Sequence, residues 1–477
     1  MNFDVAKGFL AVDLSINPAK VYHGENFNRL VKNCAGAIID LGLSCGEGIG
    51  ILGENSVAYM ISVFGIYKSQ QVCVPLNYKL STDKIHYCIK DSLIKFIFCD
   101  KKFRHLVPLG IPVIEYGTEF DNFTSKNYDN EIKLDPNRIC MTLFTSGSTG
   151  IPKKVNFTLG DRFFLTQSKQ NFDHSNIKKV EQLRVLNANP FFHNAGIGWF
   201  TASIFKKHNL FLLAKFDSKI FLHTIARYKI QSIAMVTPMM SMIFNESELL
   251  QKLDLTSVIS VTLVGSHANE SLINKIKKVF PNLINISNPY GLTETGAAVL
   301  SSHPDNVPIP QGSAGYPASW AELKLVDGVL HVKSKNLISK FDTSDTEWFN
   351  THDRFRVDEN GFYFFLGRSD DMLKCGGEKV YPVEIELVLD QHPNIDSSLA
   401  FGLPDLIKGE KPYAFVKLST PCDEKELIEY AATKLASYQI PKRIWIIDSW
   451  PLNSVGKIDK KVLLSRANSF ISNIYDI

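Results

Sequence analysis

The chain has 477 residues, too many for one compact core, and at roughly 150 residues per domain it suggests about three domain-sized units. With 45% hydrophobic and 21% charged residues it falls in the globular range, and a formal charge of +3 argues against a broad footprint for nucleic acid. Eight cysteines show no CxxC spacing, which argues against a zinc ribbon or a redox dithiol and suggests small buried hydrophobes in a reducing compartment.

In chain order, the opening MNFDVAKGFLAVDLS lacks the apolar run and small-residue cleavage site of a signal peptide. No uncharged apolar run of about 18 residues occurs, so the expectation is a cytoplasmic protein without a membrane span. Helical spacing over 26–43 is followed by GIGILG (48–53), which matches a dinucleotide fingerprint by letter. A fingerprint needs a strand before it and a helix opening on it, whereas here a helical pattern precedes it and the glycines themselves read as the next strand. A second helix is predicted over 56–70, with strands at 72–77, 95–100 and 139–146. Further on come a helix over 221–230 and strands at 232–238 and 260–266. Strand and helix in alternation predict a parallel sheet with helices on its faces, an α/β architecture. Beyond residue 310 the texture is antiparallel β, with DENG (358–361) as a hairpin turn, and an α+β segment runs from SDDMLK to the C-terminus.

The stretch TSGSTGIPK (145–153) concentrates glycines, hydroxyls and a cation. Such residues are ordinary punctuation of turns, yet glycine also lets backbone amides approach an anion while hydroxyls and lysine add donors. Composition leaves a solvated loop and a phosphate cradle both open. A P-loop is excluded, because Walker A has its lysine directly after a glycine and a helix next. Here Lys153 follows proline, and KKVNFTL reads as a strand.

Four later stretches stand out: NPYGLTET (288–295), THDRFRV with GRSDD (351–371), CGGEKVYPVEIE (375–386) and PLNSVGKIDK (451–460). In order and spacing, all of these together with TSGSTGIPK resemble the adenylate-forming superfamily of acyl- and aryl-CoA synthetases. The resemblance covers residues from about 25 to 465. It implies a large N-terminal domain (1–369) of parallel sheets with helices and a small β-barrel-like subdomain. A small mobile α+β domain (370–477) would follow, swinging about a hinge at Asp370.

The activity so implied is attack of a carboxylate on the α-phosphate of ATP, then displacement of AMP by the thiol of CoA or of a carrier protein's phosphopantetheine. On this resemblance Thr145, Ser146, Gly147, Ser148, Thr149, Gly150 and Lys153 hold the β- and γ-phosphates. Glu294 binds Mg2+, Thr293 donates to the α-phosphate, and Asn288, Tyr290 and Gly291 flank the adenine. Asp353 accepts from the ribose with Arg368 nearby, and Lys457 bridges carboxylate and α-phosphate. Gly376 and Gly377 line a pantetheine channel, with Lys374 and Lys379 toward phosphates. Three positions depart from the pattern: Lys154, His352 and Glu347 each stand where glycine is usual.

PFFHNAGIGWF (190–200) resembles the acyl-pocket segment of acyl- and aryl-CoA ligases, with His193 at the mouth. Amino-acid-activating relatives carry an FDxS string there. KFDSKIF (215–221) comes about 25 residues too late for that position, and its Asp217 reads better as a helix N-cap. No buried anion is evident to pair an α-amine, so the acid is expected to be fatty, aryl or otherwise non-amino. Its walls are expected among Phe192, Gly196, Gly198, Trp199, Gly265, Ser266, Pro289, Gly291 and Ala297. The competing readings are an acyl-AMP ligase loading a separate acyl or aryl carrier protein, and a non-catalytic nucleotide-binding relative.

Overall fold

The computed structural model describes residues 8–128, 133–146, 151–167, 182–265, 268, 270–305, 307–334, 348–405, 408–452 and 458–475. The chain forms two compact units. One takes the described residues of Met1–Val264, Phe280–Val299 and Ser334–Asp345; the other takes those of Gly265–Val279, Leu300–Lys333 and Thr346–Ile477.

The first unit holds two mainly parallel sheets. One runs Val113–Glu115, Ile94–Cys99, Gly48–Leu52, Val72–Pro75, Ile139–Ser146, Pro152–Thr158, with only the last strand antiparallel to its neighbour. GIGILG is therefore a central strand, as its context predicts. Its residues Gly48–Leu52 are all buried. A Cβ on Gly48 would come within 2.6 Å of the Ser92 carbonyl, so glycine there serves close packing. The other sheet runs Asn285–Ser287, Ser260–Val264, Ser232–Val236, Arg184–Asn187, Asn209–Leu212, Leu10–Asp13, Lys20–His23, with the last strand antiparallel.

The helix Val57–Lys68 is apolar on every side and buried almost throughout, as expected of a helix enclosed by its own unit. Ser56 caps it by accepting from the Tyr59 amide at 3.1 Å. It crosses the helix Gly24–Asp40 closely, because a Cβ at Gly65 would lie 2.6 Å from Cys34 Sγ. The strand expected at 232–238 ends at Val236, since Thr237 opens a helix in which proline occupies the first turn, a place where its missing N–H costs nothing. Asp217 is the N-cap expected of it, accepting from the Ile220 amide at 2.9 Å, and the helix Ser218–Tyr228 ends on Lys229 in a left-handed conformation.

In the second unit Glu322–Val326, Val329–Lys333, Phe349–Val357 and Tyr363–Arg368 form an antiparallel sheet, with DENG as the turn of its last hairpin. The α+β segment follows. Its sheet comprises Glu378–Val380, Leu373–Cys375, Gly409–Leu418 and Ile395–Asp405, with Ile444–Ile446 added beside Gly409–Leu418. The helices Pro382–Leu389 and Glu424–Ala432 supply Ile385, Leu389, Leu427 and Ala431 to its core. All eight cysteines are free thiols. Cys34, Cys73, Cys88, Cys99, Cys140 and Cys375 are buried, whereas Cys45 is exposed and Cys422 half-buried. Among the described residues no helix is long and apolar enough to cross a membrane.

Candidate active site

In the first unit the phosphate-loop motif joins two strands of one sheet. Ile139–Ser146 leads in and Pro152–Thr158 leads out, paired antiparallel so that Thr145 stands opposite Lys153. The strand predicted after Lys153 is thus present, and the P-loop alternative is gone. Gly147, Ser148, Thr149 and Gly150 lie outside the described residues, and of Ser146 only the backbone is described. Lys153 is exposed. Lys154, the departure from glycine, reaches away to the end of the helix Thr82–Asp91, where it pairs with the Asp91 carboxylate at 3.1 Å and donates to its carbonyl at 2.6 Å. A cation near a helix C-terminus is favourably placed.

Thr293 and Glu294 sit in a tight turn between Tyr290–Gly291 and Ala298–Ser301. The fully buried Thr295 holds that turn: its hydroxyl accepts from the Leu292 amide at 2.9 Å and reaches the Ala297 carbonyl at 2.8 Å. Gly296, at φ 74°, donates its amide to Thr293. A Cβ on Gly291 would fall 2.5 Å from the Ala297 carbonyl, so this glycine is required by the returning chain. Glu294 is half-buried, with Oε1 3.4 Å from Thr145 Oγ1, so two motifs 149 residues apart meet here. Asn288 donates its amide to the Leu263 carbonyl at 3.1 Å, which fixes its plane beside the end of the strand Ser260–Val264. Tyr290 is half-buried.

Among the described residues no three His, Cys, Asp or Glu side chains cluster as a self-sufficient metal site. A single carboxylate among hydroxyls instead suits Mg2+, which keeps waters and is completed by substrate phosphates.

The acyl segment opens the helix Asn194–Phe205, with His193 as its N-cap residue. Phe192 is buried, edge-on to Tyr78 at 5.1 Å and to the His193 ring at 4.5 Å. A Cβ on Gly196 would lie 2.1 Å from the Pro190 carbonyl, whereas one on Gly198 would meet nothing within 4 Å. Trp199 is buried in the unit's main core, and Ala297 is half-buried. Ser266 lies outside the described residues. Gly265 belongs to the second unit, at φ 87°.

In the second unit Asp353 and Arg368 are cross-strand partners, joined at 3.2 Å, with Asp353 only 4% exposed. Arg368 also reaches Asp370 at 3.7 Å. His352 adopts φ 58°, the left-handed conformation that the usual glycine would take without strain. Its amide donates to Asn350 Oδ1 at 2.8 Å, and its carbonyl accepts from Ser369 at 3.0 Å, which holds the strained residue in place.

Gly376 and Gly377 form the turn between Leu373–Cys375 and Glu378–Val380, at φ 64° and 92°, as a tight hairpin demands. Lys374 and Lys379 flank it, both exposed. Lys457 lies outside the described residues. On either side of its segment Leu452 and Ile458 pair as an isolated bridge, and Lys460 Nζ bonds Asp371 at 2.6 Å.

Three contributors have roles that the motifs do not announce. They are Thr295, the last residue of NPYGLTET, which holds the turn, and Arg162 and Asn194, which link that turn to the acyl helix. For the last two the signals are a lone arginine in the apolar DRFFL and an asparagine directly after His193.

The model of the AMP-binding enzyme family matches residues 18–334, and that of the AMP-binding enzyme C-terminal domain matches 384–457. The chain is 28% identical to a 2-succinylbenzoate–CoA ligase of Bacillus subtilis, over 87% of this chain and 86% of that one. It is also 28% identical to a fatty acid–[acyl-carrier-protein] ligase, ScoC, of Streptomyces coeruleorubidus, over 93% and 91%. Among solved structures, the o-succinylbenzoate CoA synthetase of Bacillus subtilis in complex with its acyl-adenylate superposes at a TM-score of 0.75, with 26% identity over 92% of each chain. The chain belongs to the AMP-binding enzyme family, and within it to the acyl- and aryl-CoA synthetase type of adenylate-forming ligase.

Proposed function

We propose that the protein activates a non-amino carboxylic acid with ATP and Mg2+ and passes the acyl group to a thiol, most directly that of CoA. The observation that carries this reading is the meeting of Thr145 with Glu294, which joins the phosphate-loop motif to the YGLTE motif within one unit.

In the first step a carboxylate oxygen attacks the α-phosphorus and the bond to pyrophosphate breaks. Both reactants are anions, so the chemistry needs positive charge and donors where negative charge gathers rather than a strong base. Lys457 bridges the two anions, Thr293 donates to the α-phosphate, and the 145–153 loop holds the departing pyrophosphate through amides, hydroxyls and Lys153. Glu294 would hold magnesium, which when bound would neutralise phosphate charge. Asn288, Tyr290 and Gly291 take the adenine, and Asp353, held by Arg368, accepts from the ribose hydroxyls. Phe192, His193, Gly196, Trp199, Gly265, Ser266 and Ala297 surround the acid.

In the second step the thiol sulfur attacks the acyl carbon, AMP leaves with the carboxylate's former oxygen, and the thiol proton passes to solvent. We assign residues 370–477 to a C-terminal domain turning about Asp370, so that Gly376 and Gly377 border the thiol's path. On the same assignment Lys374 and Lys379 would meet its phosphates. The place of action on this reading is the cytoplasm, which supplies ATP and reduced thiols. The likeness to an acyl-carrier-protein ligase supports a carrier's phosphopantetheine as the second candidate acceptor.

The test is pyrophosphate release from ATP and Mg2+ over a panel of aliphatic, aryl and amino acids, each with and without CoA. Release that requires a particular non-amino acid and turns over only with CoA supports the reading. A single burst that CoA does not extend directs the acyl group to a carrier protein. ATP binding with no release for any acid supports a non-catalytic relative.

A further inference from the structure

We infer that Asn194 is a positioning residue for the acid-activating step, holding the turn that carries Thr293 and Glu294 to the start of the acyl helix. The inference rests on the function proposed above. Arg162, only 5% exposed, directs Nη1 to Asn194 Oδ1 at 2.6 Å and lies over the Phe157 ring at 5.1 Å. The carboxylate of Asp161, next to it in sequence, accepts instead from the amide and hydroxyl of Thr158. Nε and Nη2 of Arg162 make no hydrogen bond among the described residues. The buried cation thus bonds Asn194 through Nη1, with the Tyr67 hydroxyl and the Asp161 carboxylate also close enough to act on its charge.

A guanidinium can only donate, so the oxygen of the Asn194 amide must face it, and the amide cannot flip. Its nitrogen then points at the Gly296 carbonyl, 2.8 Å away. Gly296 closes the 292–296 turn by donating its amide to Thr293. Asn194 is the first residue of the helix after His193, and Arg162 lies in the helix Leu159–Gln167, next after the strand leaving the phosphate loop. One amide thus joins the phosphate-loop arm, the acyl helix and the turn bearing Glu294. Seating of the acid and placement of the magnesium carboxylate are mechanically one event.

The test is Asn194→Asp. Its carboxylate still accepts from Arg162, with added charge, so the buried cation keeps its partner. Opposite the Gly296 carbonyl, however, it presents an acceptor in place of a donor, and the tie to the turn is lost. Acid-dependent pyrophosphate formation is expected to fall about tenfold, the effect of one hydrogen bond withdrawn from a transition-state arrangement. The magnesium concentration for half-maximal rate should rise, while thiolysis of a supplied acyl-adenylate stays unchanged. Both half-reactions are measured on one preparation, so their ratio cancels any unfolded fraction. An unchanged ratio, whether from no loss or from equal loss in both steps, or an unchanged magnesium requirement overturns the inference. The wild-type arm separates the two claims: without acid-dependent pyrophosphate release from the wild type, the proposed function fails first and this inference with it.

Discussion

Two carboxylates of the candidate site are held in opposite ways. Asp353 in the second unit is buried, fixed by strand register and paired with the Arg368 guanidinium. Glu294 in the first unit is half-buried, its turn is held by a neighbour's hydroxyl, and among the described residues no cation stands within ion-pair distance. A carboxylate meant to accept neutral hydroxyls needs an internal cation to keep it ionised and aimed. A carboxylate meant to receive an external cation is better left without an internal one, since a resident lysine or arginine would compete for the same charge. The difference in anchoring is what the proposed roles require.

The largest effect expected belongs to a lysine rather than to either carboxylate. Lys457→Ala should lower acyl-adenylate formation by about 10²–10³-fold, as for loss of a principal transition-state donor. Thiolysis of a supplied acyl-adenylate should persist, and equal loss in both steps would remove Lys457 from its assigned role. Glu294→Gln sharpens the comparison directly: pyrophosphate formation should fall on the order of 10²-fold, with the magnesium requirement raised. Asp353→Asn should instead act on nucleotide binding, raising the KM for ATP about tenfold, as expected when a charge-assisted contact becomes a neutral one. If both variants changed magnesium dependence alike, the distinction drawn between the two carboxylates would collapse.

A third carboxylate extends the comparison to stability. Removal of the Glu386 carboxylate from water pushes its pKa up from 4.5 to about 7, against the pull of the Ala400 amide and Lys460, with Asp390 and Asp371 adding to the rise. The folded protein therefore binds a proton there that the unfolded chain releases, so stability falls as pH rises from about 4.5 to about 7. Glu386→Gln keeps an acceptor for the Ala400 amide, so its thermal midpoint should exceed the wild type's above pH 7 and match it near pH 4.5. The smallest effect is His352→Gly. Relief of a left-handed side chain, about 1 kcal/mol, is largely offset by the greater freedom of glycine in the unfolded chain. The denaturant midpoint should shift slightly upward or not at all, and a marked loss would mean that the His352 ring itself holds this part of the strand Phe349–Val357.

Much of this was legible in the sequence because it is local. The strand character of GIGILG, the N-cap at Asp217, the hairpin glycines 376 and 377, and the strand after Lys153 each follow from a few adjacent residues. His352 was legible as an anomaly, and the structure gives it the backbone of the glycine it replaces. The less legible part is made by contacts between distant positions. Lys154 meets Asp91 across 63 residues, and Asn194 meets Gly296 across 102, neither announced by periodicity or propensity. The glycines at 196 and 291 look like walls of a pocket by motif, yet each first serves the close approach of its own chain.

The central claim is that a carboxylate oxygen becomes bonded to the α-phosphorus of ATP. It is tested most directly with an acid carrying 18O in its carboxyl group, allowed to react through to the thioester. The account predicts one 18O atom in the AMP and none in the pyrophosphate. Label recovered in pyrophosphate or inorganic phosphate, or AMP free of label while thioester accumulates, would contradict it.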